Sequence, residues 1–178
     1  MPKIIENARE KIIDSGREML VNRGYSRFSV RLLAENANVA TGTVYNYFED
    51  KTDLISTIIY EDWNNVNKRL ENNLLSVTTL RDGVRMIYDE MYHFSHMYYE
   101  VWVEYSNRRS KEKIVEDKHN IVSKEISYSL NSLLSRFALK EGKEDERIVK
   151  TLSELIIIGS VYDNIDYASI EALIDRLY

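Results

Sequence analysis

Proline is almost absent from this chain, and that absence constrains the fold more than any other feature. The sequence contains one proline, Pro2, and only six glycines. The chain after Pro2 therefore runs without an obligate helix breaker. No segment alternates between polar and apolar residues over the length of a strand, whereas apolar residues recur throughout at the 3.6-residue spacing of an α-helix. We expect an all-α fold with about nine helices.

The composition excludes several classes of protein. Hydrophobic residues make up 44% of the chain, enough to build a core, and the absence of cysteine excludes disulfides and cysteine-ligated metals. Acidic residues outnumber basic ones by 29 to 24, so the surface is not uniformly basic. No apolar run approaches the roughly 20 residues that span a bilayer, and the charged N-terminus is unlike a signal peptide. We expect a cytoplasmic protein with no membrane partner and no cofactor.

Two short helices are predicted close together, at Ser29–Asn36 and at about Thr41–Phe48. A longer helix precedes them, and Asn38 in the turn between them can adopt a left-handed backbone. This is the pattern of a helix-turn-helix, whose second helix lies in the DNA major groove. Packing of three helices for stability alone would give the same periodicity.

The angular layout of the second short helix favours the DNA-binding interpretation. At about 100° per residue, Val44 and Phe48 form its buried edge. The remaining positions present small polar groups and two tyrosine hydroxyls: Gly42, Thr43, Asn46, Tyr45 and Tyr47. Small hydrogen-bonding groups suit the edges of bases, and hydroxyl groups can reach the phosphates on either side.

The stretch from Gly24 to Leu54 resembles the N-terminal domain of the tetracycline-repressor (TetR) family of transcriptional regulators. The matching residues are Gly24, Ser29, Val30, Leu33, Ala34, Ala37, Val39, Gly42, Thr43, Val44, Tyr45, Tyr47, Phe48, Lys51 and Leu54. Two residues depart from the family pattern: Asn38 replaces the usual glycine of the turn, and Ala40 replaces the usual serine that caps the recognition helix. The resemblance implies phosphate or base contacts from Ser29, Arg31, Thr41, Gly42, Thr43, Tyr45, Tyr47 and Lys51.

The resemblance also implies how the rest of the chain is organised. A helix-turn-helix DNA-binding domain over residues 1–51 would be followed by an all-helical effector-binding and dimerisation domain over residues 52–178. Such a protein is a homodimeric regulator that binds a palindromic operator. We expect a repressor that a small apolar or aromatic effector releases from DNA.

Aromatic residues are concentrated in a helix predicted from Val84 to Tyr105, which carries seven of them. They form either an ordinary core or the wall of a ligand pocket. The equivalent helix lines the effector pocket in the proteins that this chain resembles, and this favours the pocket. The candidate effector-binding residues are Trp63, Tyr88, Met91, Tyr92, His96, Tyr99 and Trp102.

The last two predicted helices, at about Asp145–Val161 and Asp166–Tyr178, carry apolar stripes that need a partner. The resemblance implies that this partner is a second copy of the chain, joined through a four-helix interface. The candidate interface residues are Ile148, Leu152, Leu155, Ile156, Ile170, Leu173, Ile174 and Leu177.

Two other functional classes remain open. The pairs Glu90/His93 and Glu116/His119 have the Glu-x-x-His spacing of di-iron carboxylate enzymes, which also require a glutamate from each of two other helices. A helical protein-interaction module that never contacts DNA is the second alternative. No nucleophile elbow or phosphate-binding glycine loop occurs, so we expect neither catalysis nor a bound metal.

Overall fold

A computed structural model describes residues 6–101, 103, 113–137, 146–162 and 165–177, without the side chains of 113–119 and 177. Residues in these ranges form no strand. Their helices are α1 (Ala8–Arg23), α2 (Val30–Asn36), α3 (Thr41–Tyr47), α4 (Lys51–Leu74), α5 (Leu80–Met97), α6 (Lys113–Phe137), α7 (Glu146–Tyr162) and α8 (Tyr167–Leu177). Residues 99–101 are helical again after α5. The prediction of an all-α chain with about nine helices is confirmed.

The N-terminal region, α1–α3 with their turns, is bounded by local signals. Gly24 ends α1 at a φ of 72°, and its N–H donates to the Leu20 carbonyl at 3.0 Å. The Ser29 hydroxyl accepts the Leu32 N–H at the start of α2, and Asn38 adopts a φ of 54° in the turn before α3. The left-handed backbone expected at Asn38 is confirmed, and these local contacts fix where the three helices begin and end.

Helix α4 belongs to both regions of the molecule. Its N-terminus is capped by the Asp50 carboxylate, which accepts the Asp53 N–H at 2.8 Å, as the sequence predicts. Ile58 in its first half lies against Gly16 of α1. Trp63, further along, is buried with its ring 5.2 Å from that of Phe94 in α5. Helix α4 therefore connects the N-terminal region to the C-terminal region, which consists of α4–α8.

Helix α5 is the centre of the C-terminal region and contacts α4, α6, α7 and α8. The side chains that fill this core are almost fully buried and apolar: Ile87, Met91, Phe94, Ile126, Leu130, Leu134 and Ile156. No helix among the described residues is long and apolar enough to cross a membrane.

The prediction of one helix from Val84 to Tyr105 is wrong. Helix α5 ends at Met97, and Tyr98 leaves helical geometry with φ −113° and ψ 21°. The Tyr98 side chain is buried there, and its hydroxyl donates to the Asp62 carboxylate of α4. The helical spacing of apolar residues continues through this point, so periodicity alone could not reveal that Tyr98 turns towards α4.

Candidate nucleic-acid interface

Helix α3 presents one buried edge and one open face. Val44 and Phe48 are 1% and 4% exposed, as the angular layout predicts. Thr43 is half-buried, whereas the other predicted contact residues of this helix and Asn46 are exposed: Thr41, Gly42, Tyr45, Asn46 and Tyr47. A Cβ atom added to Gly42 would meet no described heavy atom within 4 Å beyond its own helix and neighbours. The backbone of α3 is therefore accessible to a large partner.

The two tyrosines are placed at the borders of this open face. Tyr45 is 52% exposed and Tyr47 is 48% exposed. The Tyr47 ring centroid lies 6.5 Å from that of buried Phe48, so this ring rests partly on the core. A ring supported by the core with an exposed hydroxyl loses little conformational entropy when that hydroxyl binds a phosphate oxygen.

The two candidate residues of α2 differ in what already engages them. The Ser29 hydroxyl caps the helix through the Leu32 N–H at 3.4 Å. Arg31 is exposed and pairs with Glu35 one turn later, with Nε 3.3 Å from the carboxylate oxygen. An exposed pair of this kind contributes little free energy, so Arg31 can exchange Glu35 for a phosphate at small cost.

Lys51 is more deeply engaged than the sequence indicates. Its ammonium group lies 4.2 Å from the ring centroid of Tyr25 and 5.5 Å from that of Phe28. It also donates a hydrogen bond to the Tyr25 carbonyl at 3.4 Å. These contacts attach the start of α4 to the turn between α1 and α2. Lys51 therefore positions the motif, and its contact with a phosphate stays a prediction.

Arg9 is a residue of this site that the sequence analysis missed. Its guanidinium carbon lies 5.8 Å from the ring centroid of Phe48, and its Nη2 lies 2.7 Å from the Glu61 carboxylate of α4. Arg9 thereby joins α1 to α4 beside the C-terminal end of α3. No sequence pattern connects it to Glu61, because the two residues are far apart in the chain.

The candidate effector-binding residues that the structure describes differ in burial. Trp63, Tyr88 and Met91 are part of the buried core, where the indole N–H of Trp63 donates to the Glu125 carboxylate. Tyr92 is half-buried, and His96 and Tyr99 are exposed. The last three form a row of rings along α5 and the residues after it. Trp102 lies outside the described residues.

A cleft of about 430 Å³ lies where the two regions meet. One wall is formed by residues 20–27, at the end of α1 and the following turn, and the other by residues 96–101. Of the candidate effector-binding residues that the structure describes, His96 and Tyr99 line this cleft. The cleft is therefore a different location from the interior of the C-terminal region, where Trp63 lies.

Half of the candidate dimer residues are buried within the monomer. Leu152, Ile156, Ile170 and Ile174 are buried, because α7 and α8 pack against α5 and each other. Ile148 and Leu155 are half-buried, Leu173 is 42% exposed, and the side chain of Leu177 lies outside the described residues. The exposed apolar side chains of these helices also include two that we did not predict, Ile158 and Tyr162.

The described residues contain no group of three or more histidine, aspartate or glutamate side chains able to hold a metal. In the first Glu-x-x-His pair, Glu90 lies 3.6 Å from Arg69, and His93 Nδ1 lies 2.6 Å from the Asp89 carbonyl. The side chains of Glu116 and His119 lie outside the described residues. The first pair thus has partners other than a metal.

Comparison with known proteins connects the helix-turn-helix to a family. Residues 12–58 match the model of the tetR family of bacterial regulatory proteins. The fatty acid metabolism regulator protein of Bacillus subtilis (strain 168) is 29% identical over 85 residues, which are 48% of this chain and 43% of that protein. The transcriptional regulator HbdR of Aromatoleum sp. (strain CIB) is 35% identical over 54 residues, 30% of this chain and 24% of HbdR. The alignments thus span less than half the length of these curated relatives.

Solved structures share the fold along nearly the whole chain. FadR from Bacillus subtilis, in complex with stearoyl-CoA, has a TM-score of 0.65 at 19% identity and covers 96% of this chain and 90% of its own. FadR from Thermus thermophilus, in complex with lauroyl-CoA, has a TM-score of 0.65 at 18% identity and covers 95% and 92%. At such identities the likeness shows the fold alone. The matched helix-turn-helix over residues 12–58 identifies the chain as a member of the TetR family of bacterial regulatory proteins.

Proposed function

We propose that this protein is a homodimeric, ligand-responsive transcriptional repressor that binds a palindromic operator through α3. The observation that carries the proposal is the open face of α3, accessible above Gly42, within the segment that matches the family model. Thr41, Gly42, Thr43 and Asn46 approach base edges in the major groove. Four side chains around them contact phosphates: Ser29, Arg31, Tyr45 and Tyr47. Lys51 supplies a fifth phosphate contact or positions the motif.

The low net charge of the DNA-binding segment has a consequence for affinity. Residues 1–51 carry eight basic and seven acidic side chains, a net charge of +1. Non-specific affinity arises from neutralised phosphates, so it is weak here, and it falls with salt in proportion to the small number of phosphates that are neutralised. Specificity then depends on the few groups that α3 brings to the bases.

Selection of bound fragments from random DNA tests the operator proposal. We expect a palindrome whose half-sites are separated by about one helical turn or a multiple of it.

Tyr45→Ala should weaken binding to the selected fragment about tenfold, or ~1.4 kcal/mol. Tyr128→Ala is the matched control, because Tyr128 is 70% exposed on α6, away from the motif. Selection without sequence enrichment, or equal affinity of both variants, would refute the proposal.

We propose a revised surface for the dimer. Ile158, Tyr162 and Leu173 are 38%, 57% and 42% exposed, on adjacent helices. A second copy would bury them through a twofold interface between the two α7–α8 pairs. Ile158→Lys should give a monomer in sedimentation experiments, because a lysine would be desolvated at the centre of an apolar contact. Tyr128→Lys should stay dimeric. A dimer that survives Ile158→Lys places the interface elsewhere.

We propose an effector with an apolar body that enters the C-terminal region, whose interior is lined by aliphatic and aromatic groups near Trp63 and Phe94. An acyl-CoA is the first compound to test, because similar structures hold stearoyl-CoA and lauroyl-CoA. Lauroyl-CoA should release the operator fragment, whereas free coenzyme A at the same concentration should not. Operator affinity unchanged by lauroyl-CoA would exclude this effector class and leave the DNA-binding proposal standing.

A further inference from the structure

The helical core reaches the DNA-binding motif through the junction segment, residues 98–101. Tyr98 begins this segment directly after the break in α5 and is 1% exposed. Its hydroxyl donates to the Asp62 carboxylate of α4. Val101, at the other end, is 2% exposed. Both ends of the segment are therefore packed into the protein, while Tyr99 and Glu100 between them are exposed.

The Asp62 carboxylate accepts hydrogen bonds from both regions. While Oδ2 accepts from Tyr98, Oδ1 accepts from Arg17 Nε of α1 at 2.6 Å. Arg17 is oriented further by Asp14, at 2.7 Å from its Nη1. The Asp62 side chain is only 13% exposed. A charge-assisted pair with this burial contributes more than a solvated surface pair, and loss of one partner leaves a costly unpaired group.

The other side of Tyr98 faces the core. Its ring centroid lies 5.6 Å from that of Phe94, which lies 5.2 Å from that of Trp63. The Trp63 indole in turn donates to Glu125 of α6. Consecutive contacts thus connect α6, α5 and α4 to α1 through one aromatic cluster and one carboxylate.

The junction segment makes a second contact with the motif. The Glu100 carboxylate lies against Gly24, so closely that a Cβ atom on Gly24 would be 1.8 Å from Glu100 Oε2. Gly24 ends α1 and starts the turn towards α2. The junction segment is therefore connected to α1 at two places. Tyr98 reaches Arg17 through Asp62, and Glu100 contacts Gly24 at the C-terminal end of α1.

We propose that Tyr98 is a positioning residue for DNA binding: through Asp62 it fixes α1, and with it α3, relative to the helical core. This inference rests on the proposed operator-binding function. A movement of the cluster formed by Trp63, Phe94 and Tyr98 breaks the bond to Asp62 and loosens α1. Operator affinity then depends on whether this one hydrogen bond is made, which gives the two arrangements that ligand control requires.

A double-mutant cycle on operator affinity tests the role of Tyr98. Tyr98→Phe removes the hydroxyl and keeps the ring packing, and it should weaken binding on the order of 2- to 30-fold. In an Arg17→Met protein the same substitution should have little further effect, because the carboxylate no longer holds α1. Tyr128→Phe, which removes one exposed hydroxyl from α6, should bind as the unaltered protein does. Unchanged affinity of Tyr98→Phe, or an equal loss in both backgrounds, would overturn the inference.

Hydrogen exchange separates positioning from general destabilisation. Tyr98→Phe should speed amide exchange in the second half of α1 and leave α7 at the rate of the unaltered protein. Faster exchange throughout the core would indicate a merely structural role. If the unaltered protein selects no operator, the proposed function fails, and the exchange rates of α1 still decide whether Tyr98 positions it.

Discussion

The N-terminal and C-terminal regions are specified by different kinds of contact. In the N-terminal region the decisive polar contacts are local: the Ser29 hydroxyl and the Asp50 carboxylate each accept an N–H three residues later. The C-terminal region also has such caps, for example Thr79 on the Asp82 N–H, but its helices are joined to one another by polar contacts between distant residues. Ser95 donates to the Ser160 carbonyl at 2.6 Å, and Arg136 donates to the carbonyl of Leu74 at 3.0 Å.

The contrast between local and distant contacts indicates where the protein can change shape. Local caps and turns do not depend on the rest of the chain, so they stabilise the shape of the motif, whereas its orientation depends on contacts with distant residues such as that between Arg17 and Asp62. Contacts between distant helices are lost or gained when a helix moves. A ligand is therefore expected to act on the C-terminal region and to change the orientation, rather than the internal geometry, of α1–α3.

The strongest test of this comparison is Leu33→Ala. Leu33 is fully buried in the N-terminal region, and the substitution should lower the free energy of unfolding by about 2–5 kcal/mol. Both tryptophans, Trp63 and Trp102, follow the N-terminal region in the sequence, so tryptophan fluorescence reports the C-terminal region. We expect the circular-dichroism transition to gain an early phase in denaturant while the fluorescence transition stays in place.

The control for this experiment is Leu130→Ala, a truncation of an equally buried leucine in α6. It should shift the fluorescence transition. If Leu33→Ala shifts both signals together, the two regions unfold as one unit, and the separation drawn here between them is wrong.

Gly24→Ala is expected to have the next largest effect, about 1–3 kcal/mol of destabilisation. The φ of 72° strains any residue with a Cβ atom, and that atom would also collide with Glu100. Glu100 is an exposed, flexible side chain that can move aside, so Glu100→Ala should relieve little while the backbone strain remains. In thermal unfolding the double variant should therefore recover only a small part of the loss. Full recovery would show that the distant contact, and not the local backbone, dominates even in the N-terminal region.

The same distinction explains which features could be predicted from the sequence. Gly24, Ser29, Asn38 and Asp50 are recognisable because the chemistry of each acts within a few residues of its own position. The break at Tyr98 is not, since it depends on a carboxylate one helix away.

The candidate dimer stripe shows a second limit of sequence reasoning. Helix α7 is apolar on more than one side, so periodicity finds Leu152 and Ile156 as readily as Ile158. Which side the monomer buries depends on the position of α5, and the sequence does not encode that locally. The candidate effector residues share this limit, because one aromatic helix supplies both core and surface rings.

Alkaline unfolding tests the contact between the two regions. Burial, together with the hydrogen bond to Asp62, raises the pKa of Tyr98 above its ordinary value of 10.0. The stabilisation that neutral, buried Tyr98 contributes is fully present at pH values below 10.0, where tyrosine is neutral in the unfolded chain as well. Above that pH, Tyr98 ionises first in the unfolded chain, so the free energy of unfolding falls by up to about 1.4 kcal/mol per pH unit.

Tyr98→Phe should flatten this alkaline decline in denaturant unfolding. Part of the decline should remain, because burial also raises the pKa of Tyr167, to about 12. If the free energy of unfolding falls equally steeply with pH in the variant and the unaltered protein, Tyr98 ionises as easily in the folded protein as in the unfolded chain. Its burial beside Asp62 predicts the opposite.

Gly42→Ala has the smallest expected effect on stability and separates stability from function. Gly42 lies inside α3 with open space where a Cβ atom would be, so alanine should raise the free energy of unfolding by about 0.5–1 kcal/mol. The added methyl group projects towards the operator in our proposal and should weaken binding there. A protein that becomes more stable and yet binds DNA less tightly would show that glycine is kept at this position for close approach. Equal or tighter operator binding would mean that the backbone of α3 stays clear of the duplex, and that DNA recognition depends on its longer side chains instead.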